Sequence, residues 1–388
     1  MRILFVISEL SYLGGAQKQL VELARQLVHN GQEAAIYTLN RDVPRERDLA
    51  GSGVLLLVDQ KRSRLDPWVL WRLNRTIARW RPDVVHSFLF DADIYARIAA
   101  IGTGVPVLSS ERNSGYSLSA VQRFAHRLTR RLVRGVVANS YTGKAFAQAL
   151  FRLAPDEFHV VWNAVQPGEL ERQAAPDIDH RAEFFGAGDY RIACLVGAIK
   201  PQKDYHLALD TAASLIRSDS RWRVLLIGDQ LAPVNSYKRA ERTDTGLYKA
   251  AVLRHYEQLD VADKIRFAWT RHDVPAIVAQ CDLLYVTSVH EGFPNAVLEA
   301  MALGVPVVST EYSDIRRILP FPEQVVAARS AEALAQEIVR ADARREIIVE
   351  RQKQWVRQHA TMDRAAAELE RIYRRYVRGG AYALGASK

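Results

Sequence analysis

The chain has few cysteines and no long apolar run. Cys194 and Cys281 are its only cysteines in 388 residues, and each lies inside an apolar stretch. A disulfide framework or a cysteine-rich metal site is therefore disfavoured, and we interpret both residues as buried packing thiols. No segment approaches the roughly 18 consecutive apolar residues that span a bilayer. The opening MRILFVIS passes into a polar turn, so we interpret it as a strand rather than a signal peptide and expect an intracellular chain.

Composition indicates a folded protein of two domains with a basic first half. Hydrophobic residues make up 48% and charged residues 25% of the chain, values typical of globular proteins. The length suits two domains. Residues 1–165 hold 22 lysines and arginines against 14 acidic residues, so +8 of the total charge of +9 lies there. This asymmetry indicates an anionic partner such as nucleic acid, a membrane surface or a phosphorylated substrate.

Short apolar segments alternate with segments of helical apolar spacing along both halves. The predicted strands are RILFVIS, EAAIYTL, GVLLLV, DVVHSF, VPVLSS and GVVANS, then RIACLVG, RWRVLLIGD, KIRFAW, DLLYVTS, VPVVST and QVVAA. Continuous apolar strands separated by helices predict parallel sheets covered on both faces. We predict an α/β protein of two tandem Rossmann-like, doubly wound domains with a cleft between them. The first spans residues 1–168, a linker spans 169–190, and the second spans 191–357.

A C-terminal helix is predicted over residues 361–378. Its apolar face must pack on one of the domains, with the first domain as the candidate. The face consists of Ala366, Leu369, Ile372, Tyr373 and Tyr376.

The stretch HEGFPNAVLEAMALGVPVVST, residues 290–310, places two acids around the start of a helix. Pro294 suits the first turn of a helix that runs to about Leu303, and Gly304 ends it. Glu291 then lies in the loop after a strand, at the edge where doubly wound sheets bind ligands, and Glu299 lies on the helix. Backbone N–H groups at a helix start bind anions, and carboxylates accept hydrogen bonds from hydroxyls, so the pair suits a ligand with phosphate and sugar. Each acid alone is equally explained as a capping acid or a solvated helix charge.

This stretch resembles the signature of family 4 of the retaining glycosyltransferases, nucleotide-sugar enzymes of the GT-B fold. The resemblance extends over nearly the whole chain and includes Gly14-Gly15, DVVHS at 83–87, VGAIKPQKD at 196–204 and LLIGD at 225–229. It implies that Glu299 holds the ribose hydroxyls and Glu291 those of the transferred sugar. It also implies that the diphosphate meets the backbone of a run consisting of Gly292, Phe293, Pro294, Asn295 and Ala296.

Four further residues follow predicted strands. The resemblance implies that Lys203 neutralises the leaving diphosphate, that Gly15 lets the backbone approach donor and acceptor, and that Arg271 lies where the base is held. His86 is the candidate for a sugar contact or a catalytic proton acceptor, at the end of its strand and at the cleft edge. A solvated lysine, a plain glycine turn and a structural histidine are the alternatives.

The family pattern is broken at two positions. Gly197-Ala198 stands where the family usually has Gly-Arg. Ala198 therefore removes one cation from the phosphate site unless Lys200 or another cation replaces it. Trp269 stands where Gly is customary, next to the expected base pocket. A non-catalytic nucleotide-sugar binder, which Ala198 favours, and a GT-B epimerase or phosphorylase therefore stay open as alternatives to a transferase.

We expect neither a metal ion nor a cofactor. The strings Asp91-Ala-Asp93 and Asp177-Ile-Asp179 resemble a metal motif of another glycosyltransferase fold, but we interpret the first as a helix cap and the second as part of the linker. The expected donor is a nucleotide-diphosphate sugar, with a UDP-sugar preferred. The expected acceptor is a glycan or a lipid-linked hydroxyl, in surface polysaccharide or lipopolysaccharide synthesis of the bacterial type.

A predicted basic helix in the first half has two possible interpretations. SAVQRFAHRLTRRLVRG places Arg123, Arg127, Arg130 and Arg134 on one stripe, with Phe124, Leu128 and Leu132 opposite. It fits equally an ordinary helix with a solvated face and a helix that lies on anionic lipid. We therefore expect a cytoplasmic protein that can lie at the inner face of the membrane. A nucleic-acid module is disfavoured because no recognised binding motif accompanies the stripe.

Overall fold

The computed structural model describes residues 1–12, 14–63, 66–112, 119–175, 177–228 and 239–382. The chain forms two compact units. The first unit is Met1–Ala164 together with Met362–Lys388, and the second is Val165–Thr361.

Strands and helices alternate in each unit. The strands are β1 (Arg2–Ile7), β2 (Glu33–Thr38), β3 (Leu55–Val58), β4 (Val84–Phe88), β5 (Val107–Glu111), β6 (Gly135–Ala138), β7 (Phe158–Val160), β8 (Arg191–Val196), β9 (Trp222–Ile227), β10 (Ile265–Trp269), β11 (Leu283–Val286), β12 (Val307–Thr310) and β13 (Val325–Val326). The helices are α1 (Gly15–His29), α2 (Pro67–Trp80), α3 (Phe90–Ala99), α4 (Ala120–Thr129), α5 (Tyr141–Leu150), α6 (Pro167–Gln173), α7 (His180–Phe185), α8 (Tyr205–Ser218), α9 (Arg239–Glu257), α10 (Val274–Ala279), α11 (Asn295–Leu303), α12 (Ile315–Ile318), α13 (Ala331–Ala343), α14 (Arg345–His359) and α15 (Met362–Tyr382).

Each unit is built on a parallel sheet. The strand order is β3-β2-β1-β4-β5-β6-β7 in the first and β10-β9-β8-β11-β12-β13 in the second. In both, the first strand of the unit lies inside the sheet, and the order reverses beside it, between β1 and β4 and between β8 and β11. Ligands of doubly wound sheets bind at the carboxyl ends of strands beside such a reversal.

The predicted fold class is confirmed, and every predicted strand is present. The strands are apolar throughout because helices cover both faces of each sheet; Ile3, Leu4 and Phe5 of β1, for example, are all fully buried. The sequence analysis missed β7, an edge strand of three residues. A segment so short carries too little apolar periodicity to be recognised.

The end of the described chain returns to the first unit. The helix α15 packs on α1 and β4, and Ala366, Leu369, Ile372 and Tyr373 are buried in the core of that unit. Residues 169–190, predicted as a linker, contain the end of α6 and the whole of α7 within the second unit.

The structure describes both cysteines and helices long enough to be compared with a membrane span. Cys194 and Cys281 are free thiols, both buried in the second unit. Among the helices that the structure describes, none has both the length and the apolar character to cross a bilayer.

The apolar side chains of α4 are exposed. The sequence left open whether α4 is an ordinary helix with a solvated face or a surface helix for anionic lipid; Phe124 and Leu128, opposite the arginines, have exposed fractions of 66% and 74%. The residues of α4 that are buried are His126 and Thr129. The packed side of this helix is therefore polar.

Candidate functional site

Two loops meet at the carboxyl end of the second sheet. One follows β8 and the other follows β11, its neighbour in the sheet. The backbone N–H of Val289 donates to Gln202 O at 2.8 Å, and Gln202 Nε2 donates to His290 O at 2.9 Å. Thr287 Oγ1 donates to Lys203 O at 2.7 Å. These bonds join the two loops into one surface at the edge where a doubly wound sheet binds ligands.

Lys203 and Glu291 form an ion pair across these loops. Lys203 Nζ donates to Glu291 Oε1 at 2.5 Å, and their side chains are 23% and 11% exposed. Ser288 Oγ donates to the same oxygen at 2.9 Å, and Gln202 Nε2 donates to Glu291 Oε2 at 3.1 Å. Both carboxylate oxygens are therefore held in place, and the lysine is fixed beside them. The two residues that the sequence placed after separate strands are brought together.

Two glycines leave room for this pair. A Cβ atom on Gly197 would lie 2.9 Å from Lys203 Cε, so any side chain there would displace the lysine. Gly228, at the end of β9, has φ of +119° and would place a Cβ atom 2.7 Å from Gly197 O. This backbone conformation is open to glycine and strained for other residues. The glycines of VGAIK and LLIGD are thus required by close packing between neighbouring loops.

Arg329 supports the same surface from a third strand. It follows β13; its Nη2 donates to Asp204 Oδ2 at 2.6 Å and to Thr287 O at 2.8 Å, and its Nη1 donates to Ser288 O at 3.1 Å. The sequence analysis missed Arg329, although a charged residue directly after QVVAA was a usable signal. It missed Gln202 and Ser288 as well, because neutral polar side chains are common in loops.

The helix α11 begins at Asn295, four residues after Glu291. Pro294 is the residue before its first turn, and Gly304 ends it in the left-handed conformation with φ of +79°. The first N–H groups of a helix have no acceptor inside the helix, so the start of α11 is the positive end of its dipole; Pro294 itself has no N–H. Glu299 lies on α11, four residues beyond its start and therefore about 6 Å along its axis, and it is partly exposed.

Arg271 follows β10, two strands away from β8 and hence roughly 10 Å across the sheet. Its Nε and Nη2 donate to Asp273 at 2.8 and 2.7 Å, and its Nη1 donates to Glu183 at 2.8 Å. These hydrogen bonds, first with Asp273 and then with Glu183, raise the pKa of Arg271 above its ordinary value. The guanidinium is therefore charged and fixed to the strand end by two carboxylates.

Trp269, where the family has glycine, adopts the left-handed conformation with φ of +53°. This conformation explains why glycine suits the position. Its ring lies parallel to that of Phe267, with centroids 5.1 Å apart. The substitution therefore places a stacked aromatic pair near Arg271.

The predicted position of His86 was wrong. It lies in the middle of β4 and is fully buried, with Nδ1 2.6 Å from Tyr373 Oη and Nε2 2.8 Å from Ser110 Oγ. Burial, followed by the charge of Arg112, lowers the pKa of His86 well below its ordinary value. The neutral imidazole is thus enclosed inside the first unit, two residues before the end of β4 rather than at the sheet edge.

The remaining predicted residues lie at the start of α1 and in the loop after β8. Gly15 is the exposed first residue of α1, after β1, and Ala198 and the exposed Lys200 lie between Gly197 and Lys203. Of the two Asp-x-Asp strings, the first lies in the first turn of α3, and Asp179 caps α7 through the N–H of Ala182. Within the described ranges, His, Cys, Asp and Glu form no group of three or more that could hold a metal ion.

Two family models cover most of the chain. A model described as Glycosyltransferase Family 4 matches residues 13–169, and one described as Glycosyl transferases group 1 matches residues 177–361. The second match contains the loop pair, Arg329 and α11.

Curated relatives and solved structures agree with these matches. A 2-deoxystreptamine N-acetyl-D-glucosaminyltransferase of Streptomyces fradiae is 27% identical over 352 residues, which are 80% of this chain and 77% of that protein. A UDP-Gal:alpha-D-GlcNAc-diphosphoundecaprenol alpha-1,3-galactosyltransferase of Escherichia coli is 22% identical, over 61% of this chain and 59% of that protein. The structure of Anabaena Alr3699/HepE in complex with UDP superimposes with a TM-score of 0.78 at 19% identity, covering 96% of this chain and 99% of that one. The chain therefore belongs to glycosyltransferase family 4 and has the GT-B fold.

Proposed function

We propose that the chain is a retaining, metal-independent glycosyltransferase of the hexosyltransferase type, with a UDP-sugar as donor. The acceptor is a hydroxyl of a glycan or of a lipid-linked glycan in surface polysaccharide or lipopolysaccharide synthesis of the bacterial type. The observation that carries the proposal is the Lys203–Glu291 pair, fixed across two loops immediately before the start of α11. No cofactor takes part, because the nucleotide sugar is itself the substrate.

In this proposal the second unit holds the donor. The diphosphate meets the backbone of residues 292–296 at the positive end of α11, where Pro294 contributes no N–H. Glu299 accepts hydrogen bonds from the ribose hydroxyls, and Glu291 accepts them from the sugar. Arg271, which follows β10, contacts the base.

Lys203 stabilises the leaving group. The acceptor oxygen forms a bond to the anomeric carbon while the bond from that carbon to the UDP oxygen breaks. The acceptor proton passes to the departing phosphate on the same face of the sugar, which preserves the anomeric configuration. The ammonium group of Lys203 opposes the negative charge that grows on UDP in this step. His86 takes no part, because its ring is enclosed and both of its nitrogens have partners.

Similar proteins support the donor and the acceptor class. Solved structures of Anabaena Alr3699/HepE contain UDP and UDP-glucose. The Escherichia coli relative is named for transfer from UDP-Gal to a diphosphoundecaprenol-linked sugar.

Product analysis tests the proposal. The full chain is incubated with UDP-glucose, UDP-galactose or UDP-N-acetylglucosamine and lipid-linked or free glycan acceptors, and the anomeric configuration of the product is determined by NMR. We expect a product with the configuration of the donor, at a rate that a chelator leaves unchanged. An inverted product would contradict retention, and loss of activity with the chelator would contradict metal independence.

A second candidate is a non-catalytic nucleotide-sugar binder that assists an active transferase. Ala198 favours it, because a methyl group replaces the usual cation of the phosphate site and the nearby Lys200 is exposed. Donor binding without turnover over the same acceptors would support this candidate.

A further inference from the structure

The helix α4 in the first unit packs through polar groups. Its buried residues, His126 and Thr129, face Arg97 of α3, which is fully buried. Arg97 Nη1 donates to His126 Nδ1 at 2.9 Å and to Thr129 Oγ1 at 3.2 Å. Arg97 Nη2 lies 3.3 Å from Asp93 Oδ2 and donates to Ser109 Oγ at 2.9 Å. A buried guanidinium with these partners holds the helix in place.

The opposite side of α4 is apolar and exposed. Val121 and Phe124 are each 66% exposed, and Leu128 is 74% exposed. Spacings of three and four residues place their side chains in one row along the helix. An amphipathic helix of a globular protein normally turns its apolar row toward the core. In α4 the polar contacts with Arg97 fix the reverse orientation, so this row has no role in the core.

Arginines run beside the apolar row. Arg127 on α4, Arg131 in the turn that follows it and Arg134 are exposed. The sequence from 119 to 134 contains five arginines and no acidic residue. We call the surface formed by Val121, Phe124, Arg127, Leu128 and Arg131 the outer face of α4. It combines an apolar row with a dense positive charge, the composition of a helix that lies at a lipid surface.

Two tryptophans of α2, in the same helical layer as α4, are exposed. The helix α3 packs against both α2 and α4, so the three helices lie side by side over one face of the sheet. Near the start of α2, Trp68 is 64% and Trp71 52% exposed, and the guanidinium of Arg75 lies over the Trp71 ring. Tryptophan is enriched at membrane–water interfaces, where its amphipathic ring lies at the level of the headgroups. The exposed large apolar residues described in the second unit are dispersed over different elements: Ile178, Leu247, Val289, Val339 and Ile347.

We infer that the outer face of α4, together with Trp68 and Trp71, docks on a bilayer that contains anionic lipid. The apolar row enters the boundary between headgroups and acyl chains, where its exposed area leaves water. The guanidinium groups bind lipid phosphates, which they match in charge and geometry. The inference extends the proposed function by placing the first unit at the surface that carries a lipid-linked acceptor. Docking itself needs neither donor nor transfer.

Vesicle sedimentation of the full chain, without nucleotide, tests the inference. One set of vesicles is phosphatidylcholine alone, and the other contains phosphatidylglycerol at one part in four. We expect binding to the anionic set, loss of that binding in concentrated salt, and much weaker binding to the neutral set. The double variant Phe124→Ser/Leu128→Ser and the double variant Arg127→Glu/Arg131→Glu should each lower binding to anionic vesicles about tenfold or more.

Matched controls change the second unit. Val339→Ser/Ile347→Ser removes two exposed apolar side chains, and Arg351→Glu/Arg357→Glu reverses two exposed charges on α14. Both controls should bind as the unchanged protein does, and circular dichroism should confirm that all four variants are folded. Equal losses in variants and controls would contradict a specific surface.

Three other results would overturn the inference. Equal binding to neutral and anionic vesicles would remove the role of the arginines. A second result is that the protein binds neither set of vesicles and sediments as a dimer, and that Phe124→Ser/Leu128→Ser sediments as a monomer. This result would assign the face to a second copy of the chain. No binding by a protein that is monomeric throughout would exclude lipid as the partner. If the protein transfers sugar but binds no vesicle, the docking inference is wrong and the proposed function still stands.

Discussion

The two units share a parallel, doubly wound sheet but use their charged residues differently. In the second unit Lys203, Glu291 and Arg329 follow strands at the sheet edge; Lys203 pairs with Glu291, and Arg329 binds Asp204 and the carbonyls of Thr287 and Ser288. In the first unit Arg97 and His86 lie in the interior, and each is held by buried polar partners. In the proposed function the edge of the second sheet binds the donor, whereas Arg97 and His86 serve packing in the first unit, so function has to be argued from side chains rather than from fold.

The first way to test this contrast is to remove the buried cation of the first unit. Arg97→Ala would leave Asp93 buried without its ion-pair partner and His126 without its donor. Loss of one partner of a buried pair costs about 3–5 kcal/mol of unfolding free energy. We expect a loss of that size in denaturant unfolding, and a much smaller change for Arg134→Ala, which removes an exposed arginine. A loss below about 1 kcal/mol for Arg97→Ala would contradict the structural role of the cluster.

The second test removes the cation at the edge of the second unit. Lys203→Ala should lower the rate of UDP release in the presence of acceptor about 10²–10³-fold, the usual effect of losing one group that stabilises charge in the transition state. Stability should change little, because Glu291 keeps its hydrogen bonds from Gln202 and Ser288. Lys200→Ala serves for comparison, since this lysine is exposed on the same loop. A greater loss of rate for Lys200→Ala than for Lys203→Ala would move the proposed role to Lys200.

The third test concerns the pH dependence of the first unit. Burial, and then the charge of Arg97, lower the pKa of His126 from 6.5 to about 3. The unfolded chain therefore binds more protons at this site between these pH values, and stability rises with pH across the window. Asp93 acts in the opposite sense, because burial raises its pKa from 3.8 to about 6 and stability falls with pH in that range.

His126 shows the larger shift, so its removal should be visible. His126→Gln keeps an acceptor for Arg97 but cannot be protonated. We expect the rise in unfolding free energy between about pH 4 and pH 6.5 to become smaller, by at most about 1.4 kcal/mol per pH unit. Unfolding at several pH values measures the slope, and the exposed His29→Gln controls for the loss of an imidazole. An unchanged slope in His126→Gln would contradict the assignment.

Sequence patterns predicted the sheets well and the placement of individual side chains less well. Continuous apolar segments identified the strands because both sheet faces are covered. His86 was assigned to the sheet edge, but β4 runs on to Phe88 and the His86 side chain lies in the core. The sequence of α4 could not decide which side of the helix packs, because the buried Arg97 that holds His126 and Thr129 inward belongs to another helix.

The acidic pair was recognised from sequence because its spacing is part of a long motif. Glu291 and Lys203 are 88 residues apart in the chain, and only the pairing of β8 with β11 brings their loops together. Arg329 comes from a third strand and contacts backbone carbonyls, a contact that leaves no pattern in the sequence of its partners. Contacts within one segment were therefore predictable, and those between distant loops needed the structure.

Calorimetric titration of UDP into the unchanged protein and into Glu299→Ala tests the central claim most directly, with the exposed Glu346→Ala as control. The account predicts that UDP binds the unchanged protein and Glu346→Ala equally. It predicts that Glu299→Ala weakens binding roughly ten- to hundredfold, as expected for the loss of hydrogen bonds between a carboxylate and the ribose. Equal affinity of Glu299→Ala and the unchanged protein, or no binding of UDP to the unchanged protein, would contradict it.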